Sequence, residues 1–166
     1  MGRRALTKKS ICAVLVILPL VFAAVRYSLA ADGYQVSKGQ TLYVSSYSKI
    51  FSSPKQIPFS LATILSIRNT DMAASITLVS ADYYDTKGRL IRKYHEKEAV
   101  LSPLESTYVY IPEDDAAGGT GANFIVRWKA AKEVNAPIVE CLMIGMKSGQ
   151  GISFVIPGRV IKEEGK

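Results

Sequence analysis

The sequence contains few of the side chains on which metal sites and many catalytic centres depend. Its 166 residues include one histidine, His95, and two cysteines, Cys12 and Cys141. A zinc site of the usual ligand set needs more histidine or cysteine than this. A general base needs a nucleophile within hydrogen-bond reach, and His95 stands in a polar stretch beside Tyr94 and Glu96. We therefore interpret His95 as a surface residue and predict no catalytic residue and no cofactor.

Long apolar runs are also scarce, and one extended run lies near the N-terminus. Residues 11–25 are uncharged and apolar, whereas a membrane-spanning helix needs about 20 residues. Basic residues precede this run and Ser28-Leu29-Ala30 follows it, which is the arrangement of a secretory signal peptide. We predict that residues 1–30 are a signal peptide cleaved between Ala30 and Ala31, and that the protein is exported to the periplasm or secreted. An uncleaved inner-membrane anchor and a buried core helix are the alternatives.

Positive charge is concentrated in the same N-terminal segment. Residues 1–30 hold five of the 21 lysines and arginines and none of the 14 acidic residues, so the formal charge of +7 falls to +2 for the rest of the chain. The basic surface typical of nucleic-acid-binding proteins is therefore missing, and we expect no nucleic-acid partner.

Removal of the signal segment also removes Cys12 and leaves Cys141 without a partner for an internal disulfide. Cys141 lies inside the apolar run 138–146, where a thiol behaves as a small hydrophobic group and its thiolate is disfavoured. We expect it to fill space in the core. The sequence leaves open whether Cys141 contacts His95 or forms a disulfide with another chain.

What the sequence does contain is two-residue alternation, the pattern of β-strands. Apolar and polar residues alternate in 59–68, 107–111, 124–128 and 152–156, and the run 138–146 is apolar on both faces, which indicates a central strand. Asp85-Thr86-Lys87-Gly88 predicts a tight hairpin turn. We predict an all-β antiparallel sandwich of seven or eight strands over residues 41–161, with a closed barrel as the alternative. Residues 31–40 would be a linker and 162–166 a charged tail.

Several motifs carry a family resemblance. They are 64–94 (ILSIRNTDMAASITLVSADYYDTKGRLIRKY), 118–124 (GGTGANF), Trp128, Ile144-Gly145 and 150–154 (QGISF). In this order they resemble a family of bacterial exported proteins catalogued as a domain of unknown function, number 3124 in that series, from about Leu42 to Ile161. The first half also resembles envelope immunoglobulin-like modules. The resemblance implies an immunoglobulin-like sandwich and assigns no catalytic or binding residue.

An acidic cluster and a glycine-rich loop follow one another in the sequence. Glu113, Asp114 and Asp115 supply the carboxylates that calcium prefers, although not at EF-hand spacing. They are our candidate for a weak cation site, with a solvated loop as the alternative. The loop 118–121 lacks the Lys-Ser/Thr of a phosphate-binding loop. We interpret it as a turn whose backbone folds close to a neighbouring strand.

Tyrosine supplies the candidate binding surface, because its large amphipathic ring is enriched at interfaces. Tyr108 and Tyr110 alternate with presumed core residues and should share an exposed face. Tyr83 and Tyr84 complete the candidate set. Ordinary surface tyrosines are the alternative interpretation.

These features together favour a non-catalytic binding or protein-interaction module of the cell envelope. Its partner would be an envelope protein or a small ligand, and it would contact the membrane only if the signal segment stays uncleaved. The alternatives are a cation-assisted envelope enzyme that uses Glu113, Asp114 and Asp115, and a membrane-tethered accessory domain.

Overall fold

The structure is a computed structural model that describes residues 35–52 and 54–164. The predicted signal peptide, with its cleavage site at Ala30 and Ala31, lies outside the described residues. Within the described ranges, no helix is long and apolar enough to cross a membrane.

The described chain is built from strands, as the alternation predicts, and the strands pair antiparallel. They are β1 Val36–Ser46, β2 Lys49–Ser52, β3 Ile57–Ser60, β4 Ala62–Arg68, β5 Ile76–Tyr84, β6 Leu90–Lys93, β7 Ala99–Leu101, β8 Ser106–Ile111, β9 Ala122–Asn135, β10 Ile138–Lys147, β11 Gln150–Pro157 and β12 Arg159–Glu163. The all-β fold is confirmed. The described residues form twelve strands, more than the seven or eight predicted, because four short strands (β2, β3, β6 and β7) give too little alternation to be recognised.

Two large sheets and a small hairpin make up the fold. The six-stranded sheet has the order β12-β1-β9-β5-β6, with β7 also paired to β5. The four-stranded sheet has the order β11-β10-β4-β8, and β2 pairs with β3 in a separate hairpin. The central position predicted for the 138–146 run is confirmed, because β10 lies between β4 and β11.

The two large sheets pack face to face around one hydrophobic core. Phe124, Val126 and Trp128 of β9 are buried from the six-stranded sheet. Leu65 of β4 and Cys141 of β10 are buried from the four-stranded sheet and belong to the same cluster. Alternate residues of each strand face this core, since successive side chains of a strand point to opposite sides. The predicted sandwich is therefore confirmed.

The hairpin turn between β5 and β6 has the predicted chemistry. The Asp85 carboxylate accepts hydrogen bonds from the backbone N–H groups of Lys87 and Arg89, at 2.8 and 2.9 Å. Gly88 has a φ of +75°, a conformation that glycine adopts without steric cost. The backbone donors, with the Arg89 side chain, lower the pKa of Asp85.

Both ends of the domain differ from the prediction. Residues 36–40, predicted as part of a linker, belong to β1 and pair with β9 and β12. Residues 162–163, predicted as part of a charged tail, belong to β12. The Glu163 carboxylate accepts hydrogen bonds from the Ser37 hydroxyl and the Gln40 amide, both at 2.7 Å. These side-chain bonds hold the C-terminal strand against β1 although its sequence is mainly polar.

Candidate functional site

The outer face of the four-stranded sheet is the candidate site, because within the described residues no other layer covers it. Strand pairing places Tyr110, Ile64, Leu142 and Val155 in one row that crosses all four strands. Tyr110 is 54% exposed and Val155 is 51% exposed. An apolar and aromatic row of this kind on a sheet surface is a feature of interaction sites.

A shallow open groove of about 540 Å³ follows this outer face. Ile64, Leu142 and Val155 form its apolar floor, and Tyr108, which is 70% exposed, lines it as well. Arg68 and Glu140 make one end polar, with Arg68 Nε 4.0 Å from the Glu140 carboxylate.

The Arg68 guanidinium also makes a hydrogen bond at the polar end of the groove. Its Nε donates a hydrogen bond to the Ser66 hydroxyl at 3.0 Å. The groove therefore joins an apolar floor and an exposed tyrosine to a polar end that carries both charges.

The outer face of the six-stranded sheet has a different character. The Arg127 guanidinium lies 2.9 Å from the Asp82 carboxylate and also donates a hydrogen bond to Ser80. His95 lines a polar depression of about 360 Å³ together with this pair. Partial burial lowers the pKa of His95. Charged side chains on this face pair with one another, as Lys129 also does with Glu98. Its exposed apolar or aromatic residues, such as Tyr43 and Val100, do not form a row across the sheet as those of the four-stranded sheet do.

The predicted tyrosine set is divided by the structure. Tyr108 and Tyr110 lie side by side on β8 and share the outer face of the four-stranded sheet. Tyr84 lies half-buried on β5 of the other sheet. Tyr83 is only 1% exposed and packs in the core, 4.8 Å from the Phe124 ring. Including Tyr83 among accessible binding residues was therefore wrong.

A β-bulge explains the error at Tyr83. Plain alternation from Ile76 and Leu78 would place Tyr84 on the core side of β5 and Tyr83 outside. The pairing of β5 with β9 shifts its register between Leu78 and Ser80. One extra residue exchanges the two faces of the strand beyond it, so Tyr83 turns inward.

The acidic cluster does not assemble a cation site. Glu113 and Asp114 are exposed beside a shallow depression near Ser60. Asp115 instead lies 3.5 Å from the Arg92 guanidinium and accepts a hydrogen bond from the backbone of Ala117. Within residues 35–52 and 54–164, no group of three or more His, Cys, Asp or Glu residues could hold a metal ion. The structure therefore gives no support to a cation site at these three residues.

Cys141 and the glycine loop have structural roles. Cys141 is buried from solvent, and burial raises the pKa of its thiol to about 12. Cys141 does not contact His95, because His95 lines a depression on the outer face of the opposite sheet. The loop backbone does fold against a neighbouring strand, as predicted, because a β-carbon on Gly118 would overlap the Tyr83 hydroxyl of β5.

The sequence interpretation did not identify the apolar floor of the groove. In the alternating run 59–68, Ile64 falls on the face that also carries Ser60, Ser66 and Arg68, where a single apolar residue carries no signal. The signal was the 138–146 run: a strand that is apolar on both faces but has only one core to face must expose Leu142 and Ile144.

Comparisons with known proteins add family membership. No curated protein matches the chain. Among solved structures, protein 1070 of Thermotoga maritima matches with a TM-score of 0.45 and 9% identity, over 75% of this chain and 97% of that chain, which supports no functional conclusion. The model of the family "Protein of unknown function (DUF3124)" matches residues 39–161. The chain therefore belongs to the DUF3124 family.

Proposed function

We propose that this protein is an exported, non-catalytic interaction module of the cell envelope that binds another protein through the outer face of its four-stranded sheet. The observation that carries this function is the exposed row Tyr110–Ile64–Leu142–Val155 beside Tyr108. Exposed aromatic residues that surround an apolar floor form the centre of many protein interfaces.

The shape of the site favours a protein over a small ligand. Small-molecule sites are concave and bury most of the surface of the ligand. Here the groove is shallow and open, and Tyr108 and Tyr110 stand largely exposed on β8. A partner of this site would bring an apolar segment to the floor. Its hydrogen-bonding groups would lie against the tyrosine hydroxyls and the Arg68–Glu140 end.

Site-specific photo-crosslinking in cells tests this function. The full chain would carry a photoreactive phenylalanine analogue in place of Tyr110, and a matched control would carry it in place of Tyr43. Tyr43 is 36% exposed on the opposite sheet. We expect one adduct protein from position 110 and none from position 43.

Variants of the tyrosines then separate an interface from chance capture. Tyr108→Ala should weaken the adduct roughly tenfold or more, as truncation of a central tyrosine does, whereas Tyr43→Ala should leave it unchanged. Equal adducts from both positions, or an adduct indifferent to Tyr108→Ala, would refute binding through this face.

Export is part of the same proposal and has its own measurement. The basic start, the apolar run and the small-residue site at residues 28–30 support a cleaved signal peptide. The intact mass of the protein recovered from cells that express the full chain should correspond to a start at Ala31. A mass that includes residue 1, found in protein recovered from the membrane fraction, would instead support a membrane-tethered accessory domain.

A further inference from the structure

The edges of the two large sheets are protected to very different degrees. Edge strands expose unpaired backbone groups, and proteins protect them with charge, short length or bulges. In the six-stranded sheet, β12 and β6 carry charged residues and pair across bulges, and β7 has only three residues. In the four-stranded sheet, β11 (QGISFVIP) carries no charge over eight residues.

The β11 edge is also regular and unpaired. Its register with β10 continues without a shift from Glu140–Pro157 to Lys147–Gln150. Within the described residues it pairs with no strand on its other side. A long, regular and uncharged edge of this kind is a template for a further strand.

The core side of β11 is incompletely covered. Ile152, Phe154 and Ile156 face the same side as the buried Cys141 and Met143. Ile152 is nevertheless 39% exposed, and Phe154 and Ile156 are only half-buried.

The other edge of the same sheet behaves differently. β8 is also uncharged, but its core-facing residues Val109 and Ile111 are already buried. A further strand would therefore cover apolar surface on the core side of β11 that it would not find on that side of β8.

An apolar groove at the same edge extends this surface. It has a volume of about 430 Å³ and lies between the β2–β3 hairpin and the start of β11, where Ile50, Phe59 and Ile152 line it. A strand added to β11 would bring an apolar side chain over this groove.

We propose that β11 pairs antiparallel with β11 of a second copy of this chain, which joins two four-stranded sheets into one eight-stranded sheet. The strand that fits this edge must be extended, uncharged and apolar on its core side, and β11 itself meets each requirement. A two-fold axis makes the two strands antiparallel. Because β11 carries no charged residue, self-pairing brings no like charges of the two strands together.

This dimer goes beyond the proposed function and rests on the edge rather than on the outer face. A charge introduced at the centre of β11 tests it, because a two-fold axis brings the new charge close to its own copy. Ser153 is exposed on the outer face of β11, so Ser153→Lys leaves the core unchanged. Protein purified from cells that express the full chain would be studied by sedimentation over a concentration series.

We expect wild-type protein to dimerise and Ser153→Lys to raise the dimer dissociation constant roughly tenfold or more, since like charges across an interface are costly. Ser153→Thr should remain dimeric. Val100→Lys, which adds the same charge to an exposed position of the edge strand β7 in the other sheet, should also remain dimeric. A monomeric wild type, or a Ser153→Lys variant as dimeric as Val100→Lys, would overturn pairing through β11.

Cysteine crosslinking supplies a second measurement that does not depend on the lysine variant. In a Cys12→Ser background that keeps the buried Cys141, one added cysteine at each position from 152 to 155 should form interchain disulfides. Their yield should be highest at the position nearest the two-fold axis, because a disulfide needs Cα atoms about 4.4–6.8 Å apart. The background protein without an added cysteine should form none. A cysteine in place of Ser106 on β8 is the control. Absence of disulfides at every β11 position, or equal yield at Ser106, would contradict the dimer. The crosslinks from position 110 would be unaffected by that result.

Discussion

Gly118 illustrates how one missing side chain permits the packing of the core beneath the loop. Its backbone is in the right-handed helical region, with φ −71° and ψ −32°, so any residue could adopt its conformation. Space is what excludes a side chain. A β-carbon there would overlap the Tyr83 hydroxyl and lie 2.6 Å from the β-carbon of Ala122. Gly118→Ala must therefore displace Tyr83.

The cost follows from what surrounds Tyr83. Its ring is fully buried, 4.8 Å from the ring of Phe124, and its hydroxyl lies 3.2 Å from the Ser48 hydroxyl. Overpacking of a buried site costs about 1–3 kcal/mol, and a lost hydrogen bond adds about 1 kcal/mol. We expect Gly118→Ala to lower the free energy of unfolding by about 2–4 kcal/mol, summed from these two effects.

A double-mutant cycle identifies the cause of this loss. Urea unfolding can be followed by the fluorescence of Trp128, the single tryptophan of the chain. Tyr83→Phe removes the hydroxyl, which is the atom nearest to the new β-carbon, whereas Tyr83 Cζ and the β-carbon of Ala122 remain within 2.7 Å of it. The double variant should therefore recover part of the loss and be more stable than additive losses predict, by about 1 kcal/mol or more. Strict additivity, or a Gly118→Ala variant as stable as wild type, would show that the overlap with the Tyr83 hydroxyl is not a cause of the loss.

Three further predictions concern the core, a turn and the C-terminal strand. Burial raises the pKa of the Cys141 thiol to about 12, against roughly 8.5 for an unfolded thiol. The free energy of unfolding should therefore decline as pH rises above roughly 8.5, where only the unfolded chain loses the proton. Cys141→Ala should remove that part of the decline in pH-dependent urea unfolding. The pKa of Asp85 is lowered, so its stabilising contribution is present above its unfolded pKa and is lost as pH falls through the folded one; Asp85→Asn should weaken this dependence in an acid titration. Glu163→Ala should cost about 1.5–3 kcal/mol, as hydrogen bonds to a charged group do, whereas Glu98→Ala at an exposed ion pair should cost under about 1 kcal/mol. Equal urea midpoints for the last two variants would contradict the proposed anchoring of β12.

Strands in which apolar residues alternate with polar ones without interruption could be predicted from the sequence. Phe124, Val126 and Trp128 alternate with half-buried or charged residues, and the structure buries all three. Strand β1 could not be recognised at its start because Ser37 and Gln40 are polar but buried. The Ser37 hydroxyl and the Gln40 amide nitrogen donate to Glu163, more than 120 positions away. A pairing of this range leaves no local pattern in the sequence.

The candidate site was likewise predictable from the sequence only in part. Tyr108 and Tyr110 belong to a strand without a register shift, so alternation predicts their common face correctly. Tyr83 follows a bulge, and a bulge depends on the partner strand rather than on the local sequence. The groove required pairing information as well, because Ile64, Leu142 and Val155 come from three strands whose neighbours the sequence does not specify.

The exposed apolar residues of this chain include isolated residues in turns and groups that extend across neighbouring strands. Met72 and Leu104 are exposed in turns, where single apolar side chains need no explanation. The outer face and the β11 edge are different, because exposed apolar residues there continue across adjacent strands of one sheet. The opposite sheet pairs its charges across its outer face and protects its edges, which shows that this sequence can protect a sheet. The lack of such protection on the four-stranded sheet is therefore the physical reason for proposing its outer face and its β11 edge as binding surfaces.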